Sequence, residues 1–269
     1  MKRKTYLMES EREALRLELK TDPQNVKTQA LWAGIRPGMR VADIGCGTGK
    51  TTSILNELVQ PGGSAVGVDT SEERNRLAMV SYPHPSLSFD LRDVRDDLAG
   101  LGMFDFVWVR FFLEYFKRES FEIVSNLTAL LREGGILCLI DLDYNSMTYH
   151  GMPERLERTL ASAMTKLRQR ANFDPFVGRK LYTYLYDLGY TDIEVNVSAH
   201  HVIYGELSEI DAFNWLAKVE TVARKGYVDL SEFGTLEDFL GEFRKCLEDP
   251  RRFIYSPLIT CRGCRKGEE

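Results

Sequence analysis

Val41 to Gly49 reads V-A-D-I-G-C-G-T-G, an apolar run broken by one acid and passing directly into a turn with glycine at every second position. Gly45, Gly47 and Gly49 let the backbone turn tightly and let a ligand approach it closely, which a Cβ obstructs. The stretch therefore reads as a buried strand opening onto a ligand-binding loop. Two phosphate loops also join a strand to a helix through glycines. The P-loop spacing G-x-x-x-x-G-K-[ST] is met at its end by Gly49, Lys50 and Thr51, but its first glycine falls on Ile44. The dinucleotide fingerprint G-x-G-x-x-G/A needs a small third residue for helix–strand packing, and that position is Lys50. Spacing excludes both.

Downstream, Val66 to Asp69 (V-G-V-D) is a second apolar strand ending in an acid 20 residues after Gly49. A carboxylate there can accept hydrogen bonds from both hydroxyls of a ribose. Leu87 to Val94 reads as a third strand with Asp93 at its end, Phe104 to Arg110 as a fourth, and Leu131 to Asp143 as a fifth, with the pair Gly134-Gly135 between helix and strand. Strands alternating with helical stretches predict a parallel α/β sheet.

The pattern apolar-apolar-acid-apolar-G-x-G-x-G, with these elements in this order, resembles class I S-adenosylmethionine (SAM) dependent methyltransferases. The resemblance implies an α/β, Rossmann-like sandwich whose seven-stranded, mostly parallel sheet inserts its last strand antiparallel between the fifth and sixth, plus a helical cap. It implies SAM as cofactor, S-adenosylhomocysteine as product and no metal. Cofactor contacts would come from Gly45, Cys46, Gly47, Thr48, Gly49, Asp69, Thr70, Asp93, Val94 and Arg110. Asp69 would take the ribose and Asp93 the adenine amino group. Arg110-Phe-Phe-Leu-Glu-Tyr115 is similar to the R-x-x-L-x-H segment of small-molecule methyltransferases of the quinone-biosynthesis-like, type 11 group. Tyr115 stands where many of those have histidine, so no histidine role carries over. Arg110 has two readings: binding the SAM carboxylate or an anionic acceptor, and pairing with Asp43 or Asp141. Asp43 reads as a support of the glycine loop.

The chain of 269 residues is long enough for one large core with an appended subdomain. Its predicted organisation is an N-terminal helical segment, 1–30, then a methyltransferase domain, 31–269, with a helical insertion over 207–248. Helices are expected over Glu9 to Lys20 with Leu15 and Leu19 on one face, Lys50 to Gln60, Ser71 to Ser81, Arg118 to Arg132, Pro153 to Ala171 and Phe176 to Gly189. Thr70 and Glu73 form a predicted capping box. Strands are expected over Thr191 to His201 and Arg252 to Cys261. A net charge of −5 offers no general attraction for nucleic acid or an anionic membrane. A soluble, cytoplasmic protein is expected. The five cysteines suit reduced thiols, and Cys261-Arg-Gly-Cys264 lacks the second pair that a structural zinc site uses. Adjacent His200 and His201 on a strand are expected on opposite faces, and His84 in solvent.

Methyl transfer from a sulfonium is a direct displacement, so holding the reactants in line supplies much of the catalysis. A base is needed only where the acceptor must lose a proton. Beyond the fifth strand, Asp143, Tyr144 and His150 are candidates for that role, with the turn itself as the alternative use of Asp143 and Asn145. Tyr115, Tyr144, Tyr149 and Trp215 are candidates for contact with a small-molecule acceptor. A protein or RNA acceptor is the first alternative, although neither a basic module nor an [ND]-P-P-[YF] motif accompanies the fourth strand. The second is a non-catalytic SAM-binding regulator.

Overall fold

The computed structural model describes residues 7–8, 13–96, 98–144 and 148–267. In chain order the elements are α1 (Glu13–Lys20), α2 (Pro23–Ala33), β1 (Arg40–Ile44), α3 (Lys50–Leu58), β2 (Ser64–Asp69), α4 (Glu72–Ser81), β3 (Leu87–Leu91), β4 (Phe104–Arg110) and α5 (Ser120–Thr128). Then follow β5 (Leu131–Leu142), β6 (Thr148–His150), α6 (Glu154–Arg170), α7 (Leu181–Asp187), β7 (Thr191–Tyr204), α8 (Glu209–Arg224), α9 (Leu236–Glu248) and β8 (Phe253–Cys264).

The strands form one sheet in the order β3-β2-β1-β4-β5-β8-β6, with β7 also paired to β8. The first five are parallel, and β8 runs antiparallel to β5, β6 and β7. This is the expected mostly parallel, Rossmann-like sheet with its final long strand between the fifth and sixth. The described strands number eight, one more than expected. The extra one is β6, three residues pairing Tyr149 with Ile254 where no strand was expected.

Strand periodicity sorts the core into two layers. Phe106 and Trp108 of β4 pack with Ile136, Cys138 and Ile140 on the side of α2 and α3. Val107 and Val109 pack with Leu137 and Leu139 on the side of α5 and α7. Both faces are buried, which is why these strands read as continuous apolar runs. A third cluster joins Leu156 and Ala163 of α6 to Trp215, Val219, Phe239, Phe243 and Ile254, so the 207–248 insertion is docked on the sheet's far end.

Four local expectations change. The N-cap of α4 is Ser71, whose hydroxyl accepts from the Arg74 N–H, and not Thr70. Asp69 fixes this register by accepting the Ser71 N–H. In α1 the buried residues are Glu13 and Arg16, while Leu15 and Leu19 are exposed. That face is inverted because Arg16 binds Glu13 through two nitrogens and Asn214 of α8 through a third. The expected start of this helix, 9–12, and Asn145 lie outside the described residues. Along β7 the register with β8 shifts between His200 and Ile203, and His201 has φ +52°. This bulge brings the His200 and His201 rings to 3.8 Å instead of sending them to opposite faces. Finally β8 continues to Cys264, beyond its expected end at Cys261, so the C-x-x-C lies wholly in a paired strand, with free thiols. Among the described residues no cluster of metal-ligating side chains occurs.

Candidate functional site

In open α/β sheets the ligand crevice lies beyond the carboxyl ends of the strands, where the strand order reverses. Here that point lies between β1 and β4, each of which ends in backbone that an ordinary residue resists. Gly45, Gly47 and Gly49 have φ +74°, +56° and +86°. A Cβ on Gly45 would meet the Phe112 ring at 2.4 Å, and one on Gly49 would meet Ala78 and Phe89 at 2.7 Å. Just past β4, Phe111 holds φ +53°, a strained conformation of the kind retained at ligand sites.

The loop and these strand ends line a cavity that gathers Gly45, Cys46, Gly47, Thr48, Asp69, Thr70, Asp93, Val94 and Arg110. Gly49 does not line it and serves to pack the loop on Ala78 and Phe89. The sequence reading gave no cofactor role to Arg74, Arg92, Phe112 or Lys50, which also face it, nor to Leu17 and Thr21, the side chains that α1 and its exit bring over it.

Asp69 is already engaged. One carboxylate oxygen accepts the Gly47 N–H at 3.0 Å, and the other accepts the Ser71 N–H and a nitrogen of Arg74. The protein itself meets the cost of burying this acid, so that cost does not by itself call for a ribose. Each oxygen can still accept further bonds. Asp93 binds Arg95 through both oxygens.

Asp43 accepts the Thr52 hydroxyl at 2.7 Å. Burial pushes its carboxyl up to about 7, against the lowering effects of Thr52 and Arg110. The loop is thus supported through α3 by a side-chain hydroxyl. Arg110 donates from Nε to Gln29 and lies 4.2 Å from the Phe111 ring centroid. Burial lowers its guanidinium to about 10, with Asp43, Asp22 and Asp141 opposing. Among the described residues it forms no ion pair with Asp43 or Asp141, so its terminal nitrogens are available to an anion in the cavity.

Asp141 accepts the Glu114 and Leu142 N–H groups, and burial beside the Glu114 carboxyl drives its pKa well up. It is thereby committed to the turn after β4. Four expected candidates stand elsewhere. Asp143 is bound by Arg179, Tyr144 stacks on Phe176, and neither lines the cavity. Both are drawn to the segment before α7, which β5 approaches as it ends. Tyr149 donates its hydroxyl to the Cys246 carbonyl, and burial raises its pKa. The pairing of β6 with β8 holds Tyr149 and His150 at the cap, away from the cavity.

A second, largely apolar cavity adjoins the first. Tyr115 and Leu7 belong to the walls of both. Trp215 lines only the second, beside Lys218 and residues of α6. Of the proposed acceptor contacts, Tyr115 and Trp215 are therefore brought together, and Tyr144 and Tyr149 are not.

Residues 16–195 match the model of a family described as "Methyltransferase domain". An uncharacterized methyltransferase of Synechocystis sp. is 33% identical over 110 residues, 40% of this chain and 49% of the relative. The chain spans about half the length, or less, of the first curated relatives it matches, 49% and 44%. Juvenile hormone acid O-methyltransferase of Bombyx mori is 26% identical over 226 residues, covering 79% of this chain and 72% of that one. A cyclopropane-fatty-acyl-phospholipid synthase-like protein from Lactobacillus casei superposes with a TM-score of 0.59 at 15% identity, covering 95% and 94% of the two chains.

Proposed function

The chain belongs to the methyltransferase domain family, and from that premise we propose that it transfers a methyl group from SAM to a small-molecule acceptor. The observation that carries this reading is the pair of adjoining cavities, one walled by the glycine loop, Asp69, Asp93 and Arg110, the other apolar and covered by the cap. An apolar cavity beneath the cap suits a small molecule better than a nucleic acid or a folded protein. The Arg110 to Tyr115 segment favours kinship with the quinone-biosynthesis-like group. The name of the Bombyx relative places an acid among the acceptors of similar chains.

The residues present fit the cofactor. Asp69 keeps acceptor capacity for ribose hydroxyls, Asp93 stands beyond β3 for the adenine edge, and Arg110 offers its free edge to a carboxylate. When bound, SAM supplies a methyl group on a sulfonium that a nucleophile displaces directly. The glycine loop and strand ends would hold it, and Leu17 of α1 with Thr21 would cover it. Phe111, Phe112 and Tyr115 form the apolar boundary toward the acceptor side. Among the described residues the apolar cavity is lined by only two titratable side chains, Tyr115 and Lys218, which favours an acceptor that reacts without losing a proton.

The test is a thermal-shift series. A ligand at a hundred times its Kd stabilises by about 2.7 kcal/mol, so SAM and S-adenosylhomocysteine raise the melting temperature while NAD and ATP leave it unchanged. Stabilisation by ATP without stabilisation by SAM refutes the reading. S-adenosylhomocysteine release with a metabolite panel then separates an enzyme from a regulator.

A further inference from the structure

Lys218 is the only cation lining the apolar cavity among the described residues, and nothing in the sequence drew attention to it. Around it stand Leu160 and Leu167 of α6, Phe173, and Trp215 with Val219 of its own helix. Its ammonium lies 5.0 Å from the Trp215 ring centroid. Among the described residues it has no carboxylate at ion-pair distance and donates no hydrogen bond. A partly buried cation is costly to hold unless it is paired, and a face-on indole compensates it only in part.

The surrounding charges leave the deficit in place. From α1, Arg16 and Lys20 repel the ammonium while Glu13 attracts it, and Glu114 beyond β4 attracts it as well. Glu13 is taken by Arg16, and Lys20 is bound to Asp211. His200 and His201 on β7 are held neutral by burial and by the cations around them. Burial and Arg16 together lower Lys218 to about 8, which leaves it mainly charged at neutral pH.

Building on the methyltransferase reading, we infer that the apolar cavity is the acceptor pocket and that it takes an apolar carboxylic acid, hydrocarbon inside and carboxylate opposite Lys218. The cavity walls bury the hydrocarbon, and the carboxylate supplies the missing counter-charge through a charge-assisted hydrogen bond. A neutral acceptor leaves the ammonium unpaired. An amine adds a like charge beside Lys218, Arg16 and Lys20. Tyr115, common to both cavities, stands where the acceptor faces the cofactor.

The experiment titrates the full chain, preloaded with S-adenosylhomocysteine, with octanoate, octanol and octylamine by calorimetry at pH 7. Octanoate binds at least tenfold more tightly than octanol, and octylamine does not bind. Lys218→Met, which retains the apolar stem, reduces octanoate to the octanol level, whereas Lys218→Arg preserves the preference. The preference declines as pH rises through 8, where Lys218 loses its proton. Each variant is checked for an unchanged melting transition and unchanged S-adenosylhomocysteine affinity. Equal binding of octanol and octanoate, an unaffected Lys218→Met, or displacement of S-adenosylhomocysteine by octanoate overturns the proposal. A wild type that fails to bind S-adenosylhomocysteine in a prior titration refutes instead the methyltransferase reading beneath it.

Discussion

Replacing Asp69 by asparagine tests whether the acid at the end of β2 is a cofactor ligand alone or also part of the apo fold. The sequence assigns it to a ribose, which predicts lost binding and unchanged stability. In the structure its two oxygens accept from Gly47 N, Ser71 N and Arg74. The substituted carboxamide keeps a single acceptor oxygen. It can serve the Ser71 and Arg74 side or the Gly47 side, and the other set loses its partner. The guanidinium of Arg74, 8% exposed, also loses the charge of this carboxylate. Hydrogen bonds to charged groups contribute about 1.5 to 3 kcal/mol each, and removing one partner of a buried ion pair costs about 3 to 5 kcal/mol. The net loss for the isostere, after its remaining bond, is about 3 kcal/mol. For a chain of this size that corresponds to roughly 6 to 10 °C in melting temperature. Differential scanning calorimetry without ligand reads the stability, and titration with S-adenosylhomocysteine at a temperature well below the transition reads the binding. Affinity falls about tenfold or more, because at least one charged ribose contact of roughly 1.5 kcal/mol is lost. An apo melting temperature equal to wild type refutes the argument that the protein already employs this carboxylate.

Gly49→Ala places a Cβ 2.7 Å from Ala78 and Phe89 at φ +86°, and the left-handed conformation alone costs about 1 to 2 kcal/mol; urea denaturation shows a loss greater than that. Arg16→Met removes the two hydrogen bonds that Arg16 gives to the buried Glu13 and, as the loss of one member of a buried ion pair, costs about 3 to 5 kcal/mol, with faster hydrogen exchange through α1. Adding Glu13→Gln recovers part of the loss, and a strictly additive double mutant contradicts the pairing. Because Asp43 is raised from 3.8 to about 7 in the fold, the native state binds the extra proton between those values. Stability from this group is therefore full below about 4 and lost as pH rises toward 7. Asp43→Asn, which still accepts from Thr52, flattens that dependence in urea midpoints measured from pH 4 to 7; an unchanged slope refutes the assignment.

Much of the fold was legible because its cause is local. The strand-glycine-helix junction at Val41 to Gly49, the acid at Asp69 and the glycine pair before the fifth strand's apolar run each carry their meaning in a few residues. Burial on both faces of a parallel sheet leaves a continuous apolar run, and an open turn at φ > 0 leaves glycines. Cap and bulge details were less legible. Ser71 displaces Thr70 as the N-cap only because Asp69 fixes the preceding turn, and the His200–His201 contact exists only because β7 carries one extra residue against β8.

What tertiary structure alone decided is which side chains share a cavity. Asp143, Tyr144, Tyr149 and His150 follow the fifth strand in sequence, yet Arg179, Phe176, Cys246 and the pairing of β6 with β8 draw them away. Trp215 and Lys218 lie about a hundred residues beyond Tyr115, and the packing of α8 on α6 sets all three around one apolar space. The polar face of α1 is similar: Arg16 looks like a solvated charge until Asn214 and Glu13 enclose it. Periodicity reports which face of an element is apolar. A buried ion pair or an isolated ammonium is fixed by partners distant in the chain, so only the assembled fold reveals it.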